Sequence, residues 1–249
     1  MPIWSLAARR MLQALPVLLV AGQSSAQVPE KFTNLKVLPR DISKSQLIGI
    51  MRGFSFSVGV RCEHCHAAQP DPKAGLDFAS DAKEAKRTAR VMMQMVEVIN
   101  RDHLSRLGKS APTQVECTTC HRGISVPRTV NAVLGEKLEE KGVPEATALY
   151  RELRKKYYGS AAYDFSETPL NILAEALLAK SKAAEAAAMM ELNAEVNNPL
   201  SGWGLAILAM AHRASGARDK AIADYQRILE LDPKDQRARK QLEELKSGK

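Results

Sequence analysis

Cys62-Glu63-His64-Cys65-His66 and Cys117-Thr118-Thr119-Cys120-His121 decide the reading of this chain. Each is a Cys-x-x-Cys-His string, the spacing at which a c-type haem is attached. Two thiols a short turn apart can add across the two vinyl groups on one porphyrin edge. The histidine that follows can then sit under the iron as its proximal ligand. On this reading Cys62, Cys65, Cys117 and Cys120 anchor two haem c groups covalently, and His66 and His121 are the proximal ligands. These are the only four cysteines in the chain, so no thiol is left over.

A structural zinc is the main competitor for two Cys-x-x-Cys pairs. A zinc knuckle does not call for a histidine directly after both pairs, and here both have one. The 51 residues between the pairs also exceed the usual ribbon spacing of about 15–20. Disulfides within such close pairs are geometrically uncomfortable.

The N-terminus points to export. Arg9-Arg10 precede an apolar run from Met11 to Ala21, and Ser24-Ser25-Ala26 closes it. A basic start, a short apolar core and a small-residue end make a secretory signal peptide over residues 1–26. Gln13 and Pro16 interrupt a run already short for the roughly 20 residues of a membrane span. An uncleaved anchor is the alternative. Removal of residues 1–26 takes the formal charge from +8 to +6. Haem propionates would offset much of that excess, so the basic balance does not argue for nucleic acid; a solvated surface explains it. The expected location is the periplasm, free or membrane-associated.

Composition changes twice along the mature chain. A proline-punctuated lead-in covers 27–42, and residues 43–125 hold both strings. A connector from 126 to 144 carries Pro127 and Pro144, and an alanine- and leucine-rich helical pattern then runs to the C-terminus. No strand pair is convincing. The expected fold is mostly α: a dihaem cytochrome domain over 27–140, followed by a repeat domain of helical hairpins over 141–249.

Ser43-Lys44-Ser45-Gln46 fits a capping box, and Leu47, Met51 and Phe54 recur at helical spacing after it. Asp81-Ala82-Lys83-Glu84 reads as a second cap, before a stripe of Ala85, Ala89, Met92, Val96 and Ile99. Each unit therefore runs helix, connector, Cys-x-x-Cys-His. Met51 lies eleven residues before Cys62 on the apolar face, where its thioether could reach a haem or simply fill the core.

The run from Ile50 to His66, with Arg90 to Asn100 and Cys117 to Gly123, resembles the cytochrome c subunit of purple-bacterial photosynthetic reaction centres. The similarity covers roughly residues 35–130 and follows the C-terminal two-haem half of that family. It implies that Met51 ligates the first haem iron. The family subunit carries four haems, and its last haem takes a distal ligand from an N-terminal half that has no counterpart here. The sixth ligand of the second haem is therefore unassigned: Met95, His64 and His103 are candidates, and an open or water-bound iron is an alternative.

Beyond the strings, Pro199 and Pro233 lie 34 residues apart, and Gly216 to Pro233 resembles the second helix of a tetratricopeptide (TPR) repeat. Residues 169–199 form a degenerate first copy and 203–233 a second, with 145–157 and 235–247 as flanking helices. Two functions follow as expectations. The first is an electron carrier, not an enzyme, serving protein redox partners at or near a membrane, with the repeats docking a protein. The second is a dihaem peroxidase-like enzyme, which needs an open second iron and a catalytic group above it; no such group is visible in the sequence.

Overall fold

The computed structural model describes residues 28–71, 73–108 and 114–247; residues 1–26, the expected signal peptide, lie outside them. The chain is mostly α-helical, and a two-residue antiparallel bridge, β1 (Ala67–Ala68) with β2 (Leu76–Asp77), is the small exception to an all-helical reading.

The first helix, α1 (Lys44–Val58), starts as the sequence predicts. The Ser43 hydroxyl accepts from the Gln46 N–H, and the Gln46 side chain accepts from the Ser43 N–H. Gly59 ends it in the left-handed conformation (φ 67°) and donates to the Ser55 carbonyl. The strings themselves form single helical turns, α2 (Cys62–Cys65) and α4 (Cys117–Cys120), and between them lies α3 (Glu84–Val98). The start of α3 differs from expectation. Its N-cap is Lys83, which makes no side-chain cap bond, while Asp81 is drawn into ion pairs with Lys36, Lys86 and Arg90. Three cations outcompete the backbone N–H groups for that carboxylate.

The two string units cross over: α2 packs against α3, and α4 packs against α1. A bond from the Gly123 N–H to the Ser57 carbonyl (2.7 Å) ties the turn after the second string to the end of α1. Here Gly59 is needed twice over, for its positive φ and because a Cβ would stand 2.0 Å from the Gly123 oxygen.

The segment read as a connector contains a helix, α5 (Val130–Lys141), which pairs with α6 (Val143–Tyr157). Its Val130, Leu134 and Leu138 are buried in one apolar core with Tyr150, Leu170 and Leu173. The helical region thus begins ahead of residue 141 in packing terms. The hairpins α7 (Glu167–Ala179) with α8 (Ala183–Val196) and α9 (Gly202–Ala214) with α10 (Arg218–Leu231) follow, and α11 (Gln236–Ser247) covers the end. Helices α7, α9 and α11 start 35 and 34 residues apart, as a TPR-like array requires. A second core, centred on Ala209, Tyr225 and Ile228, joins the last three helices. His212 of α9 is buried, its ring nitrogens 2.6 Å from Asp224 and 3.1 Å from Glu191. The imidazole links α8, α9 and α10.

Candidate haem site

The string region contrasts with the helical array. Among its described residues up to Pro127, only Leu47 and Ile124 are buried apolar side chains. Its apolar residues instead line a cavity of about 760 Å³ between α1 and α3. That volume lies in the usual range for cofactor sites. Leu47, Met51, Phe54 and Val58 of α1 face Ala85, Ala89, Met92 and Met93 of α3 across it.

Both strings reach this cavity. Cys62, His64, Cys65 and His66 line it from the first, Cys117 and His121 from the second. Each string is one helical turn, closed by the histidine N–H donating to the carbonyl of the first cysteine at 3.0 Å. In the second, the Glu116 N–H donates to Thr119 Oγ1 at 3.0 Å, fixing the entry to the turn.

The two histidines differ. The His121 Nδ1 lies 3.1 Å from the Ile124 carbonyl; as the donor there, it leaves Nε2 with its lone pair, the form that binds iron. His66 Nδ1 is buried with no partner among the described residues, and the ring packs edge-on against Phe78 at 4.9 Å. Burial first, then the charge of Lys86, lowers the His66 pKa, against a smaller opposing pull from Asp77. A neutral imidazole is favoured, as ligation requires. Burial likewise raises the Cys65 and Cys117 thiols.

The four cysteines are free thiols. Among the described residues no three or more His, Cys, Asp or Glu side chains gather as an ion-binding cluster, so the pairs do not meet as one four-cysteine zinc site. The chemistry fits haem: paired thiols on short turns, each followed by a histidine, opening on an apolar cavity.

Met51 is half-buried in the cavity wall, and His64, though exposed, also borders it. Met95 lies on the outer side of α3 at 44% exposure, and His103 is exposed in the π-helical turn Ile99–His103; neither lines the cavity. Met92 and Met93 do, although the sequence reading singled out neither as a ligand. Their signal was available: Met92 shares a helical face with Ala85 and Ala89.

Residues 11–197 match the profile of the photosynthetic reaction centre cytochrome c subunit. The chain belongs to that family. The match runs well past the strings, beyond the roughly 35–130 that the motifs suggest. Cytochrome c-554 of Chloroflexus aurantiacus is 31% identical over 102 residues, which is 41% of this chain and 23% of that protein. The reaction centre cytochrome c subunit of Thermochromatium tepidum is 29% identical over 126 residues, 50% of this chain and 28% of the relative. That of Rubrivivax gelatinosus is 30% identical over 113, 45% and 28%. The chain thus spans about a quarter of the length of these curated relatives. Among solved structures, the first TPR domain of Spaghetti (RPAP3) bound to an HSP90 peptide covers 47% of this chain and 91% of its own, at 23% identity and a TM-score of 0.34. The family is that of a cytochrome c subunit, whose haem c is held covalently. Among the described residues no helix is long and apolar enough to cross a membrane.

Proposed function

We propose that this protein is an exported carrier of single electrons, holding two haem c groups against α1 and α3 and serving protein redox partners at or near a membrane. The observation that carries the proposal is the shared cavity: two attachment strings from distant parts of the sequence open on one apolar space. When attached, each haem would supply a one-electron ferric/ferrous couple. The chain supplies attachment, ligation and exclusion of water. Cys62 with Cys65, and Cys117 with Cys120, form the thioether links. His66 and His121 are the proximal ligands, the latter oriented by the Ile124 carbonyl. Met51, in the cavity wall, would hold the first iron together with His66. For the second, a position in the cavity wall favours Met92, Met93 and His64 over the exposed Met95 and His103.

Residues 1–26 act as the export signal, and the haem domain runs from 27 to about 127, since α5 packs with the helices that follow. The TPR-like array docks a protein partner; nucleic acid is not one. The test is electron delivery to native membranes by full-length protein and by a form ending at Pro127. The full-length protein should deliver electrons, and the shortened form should fail on membranes yet still react with a small mediator. Full-rate delivery by the shortened form would place docking on the haem domain, and rapid, saturable turnover of peroxide by either would favour an enzyme.

A further inference from the structure

The cavity wall carries a charge pattern that attachment and ligation leave unused. Six cationic side chains line it, Lys31, Lys36, Arg52, Arg61, Lys86 and Arg90, against one carboxylate, Glu84. Lys86 and Arg90 are the two of these withdrawn from solvent, where a cation is costly unless an anion meets it. Three of the six are gathered by one residue. Asp81 stands outside the cavity lining and pairs with Lys36 at 2.7 Å, Arg90 at 2.8 Å and Lys86 at 3.4 Å. One carboxylate serving three cations leaves positive charge over, of which Asp77, near enough to act on Lys86, offsets part.

The cluster is held in place. Lys86 is only 12% exposed in its side chain and donates to the carbonyls of Phe78 (2.8 Å) and Ser80 (2.7 Å). Arg90, 16% exposed, donates from Nη2 to the Asn34 carbonyl at 3.1 Å. Phe78, which Lys86 holds by its carbonyl, packs on the His66 ring. The surplus charge therefore sits beside the first string's histidine.

We infer that Lys36, Lys86 and Arg90, gathered from behind by Asp81, form a carboxylate-binding subsite for the propionates of the haem attached at Cys62 and Cys65. The inference rests on the haem reading above. An apolar macrocycle with two carboxylates on one edge suits an apolar cavity with an excess of cations on one wall, and the Arg90 guanidinium suits a carboxylate. Asp81 then acts as a positioning residue.

The test uses full-length holoprotein, with haem content measured first and the midpoint potential of each haem then followed from about pH 4 to 9, a range spanning carboxyl ionisation. A nearby cation holds a carboxyl pKa down by about 1–3 units, so Arg90→Met should move the first haem's redox-linked inflection up by about one pH unit or more. Arg90→Lys should return most of that shift, which a purely structural role would not produce. Two retained haems with an unmoved inflection in Arg90→Met and in Lys36→Met would overturn the subsite. If Arg90→Met fails to fold, Lys36→Met decides, because Lys36 is 59% exposed and pairs through Asp81. Wild-type protein that holds no haem would instead overturn the parent reading.

Discussion

Replacement of Gly59 by alanine tests the joint between the two string units. Gly59 has φ 67°, a conformation that costs an L-residue about 1–2 kcal/mol. Its new Cβ would also stand 2.0 Å from the Gly123 oxygen and 2.8 Å from the Gly123 carbonyl carbon. Backbone cannot give way as a flexible side chain does, so the turn at 121–124 must move by on the order of 1 Å to reach ordinary contact. That movement strains the Gly123-to-Ser57 hydrogen bond, worth about 1 kcal/mol net. Together these amount to roughly 2–3 kcal/mol. For a domain of this size that is a fall in Tm on the order of 10–20 °C. The control is Gly49→Ala, where nothing lies within 4 Å of the added Cβ; mid-helix, it should stabilise by about 0.5–1 kcal/mol. Thermal unfolding followed in the haem absorption band reads both. Because His121 lies in the displaced turn, the second haem's spectrum should shift while the first stays put. A Gly59→Ala protein melting within about 2 °C of wild type, with both spectra intact, would refute the reasoning.

Three further outcomes are expected. A helical fragment starting at Lys141 should be less stable than one starting at Arg128 by roughly 5–9 kcal/mol, the burial of Val130, Leu134 and Leu138 at about 1.5–3 kcal/mol each, as denaturant titration will show. Met51→His should lower the potential of one haem only, because a thioether favours the ferrous iron more than imidazole does; unchanged potentials would return Met51 to core filling. The hydrogen bonds from Arg90 and then Lys36 hold the Asp81 carboxyl far below its ordinary 3.8. With a depressed folded pKa, its contribution is present above the unfolded value and lost as pH falls below it. Urea midpoints of the haem domain should therefore decline on acidification past that value, and Asp81→Asn should flatten the decline.

Local chemistry was the legible part of this chain. The two strings and the Ser43–Gln46 box are contained within a few residues, so their reading needs no tertiary information. Asp81 misled because its partners Lys36 and Arg90 lie 45 and nine residues away, and long-range ion pairing overrode a local capping pattern. The α5 helix was hidden by prolines and mixed charge, although Val130, Leu134 and Leu138 hold a four-residue spacing that marks a buried face. The meeting of both strings on one cavity was beyond sequence reading, since it depends on the Gly59–Gly123 approach and the crossed packing of α2 on α3 and α4 on α1. Met92 and Met93 were in plain view as apolar-face residues; only the cavity distinguishes them from core filler.

The central claim is that this chain carries two covalent haems, one on each string. The most direct measurement is the intact mass of the exported protein, taken with a pyridine haemochrome assay on the same sample. The account predicts a chain mass increased by two haems, falling to one in Cys65→Ala or Cys120→Ala. A colourless protein of unmodified mass, with zinc bound to its cysteines, would contradict it.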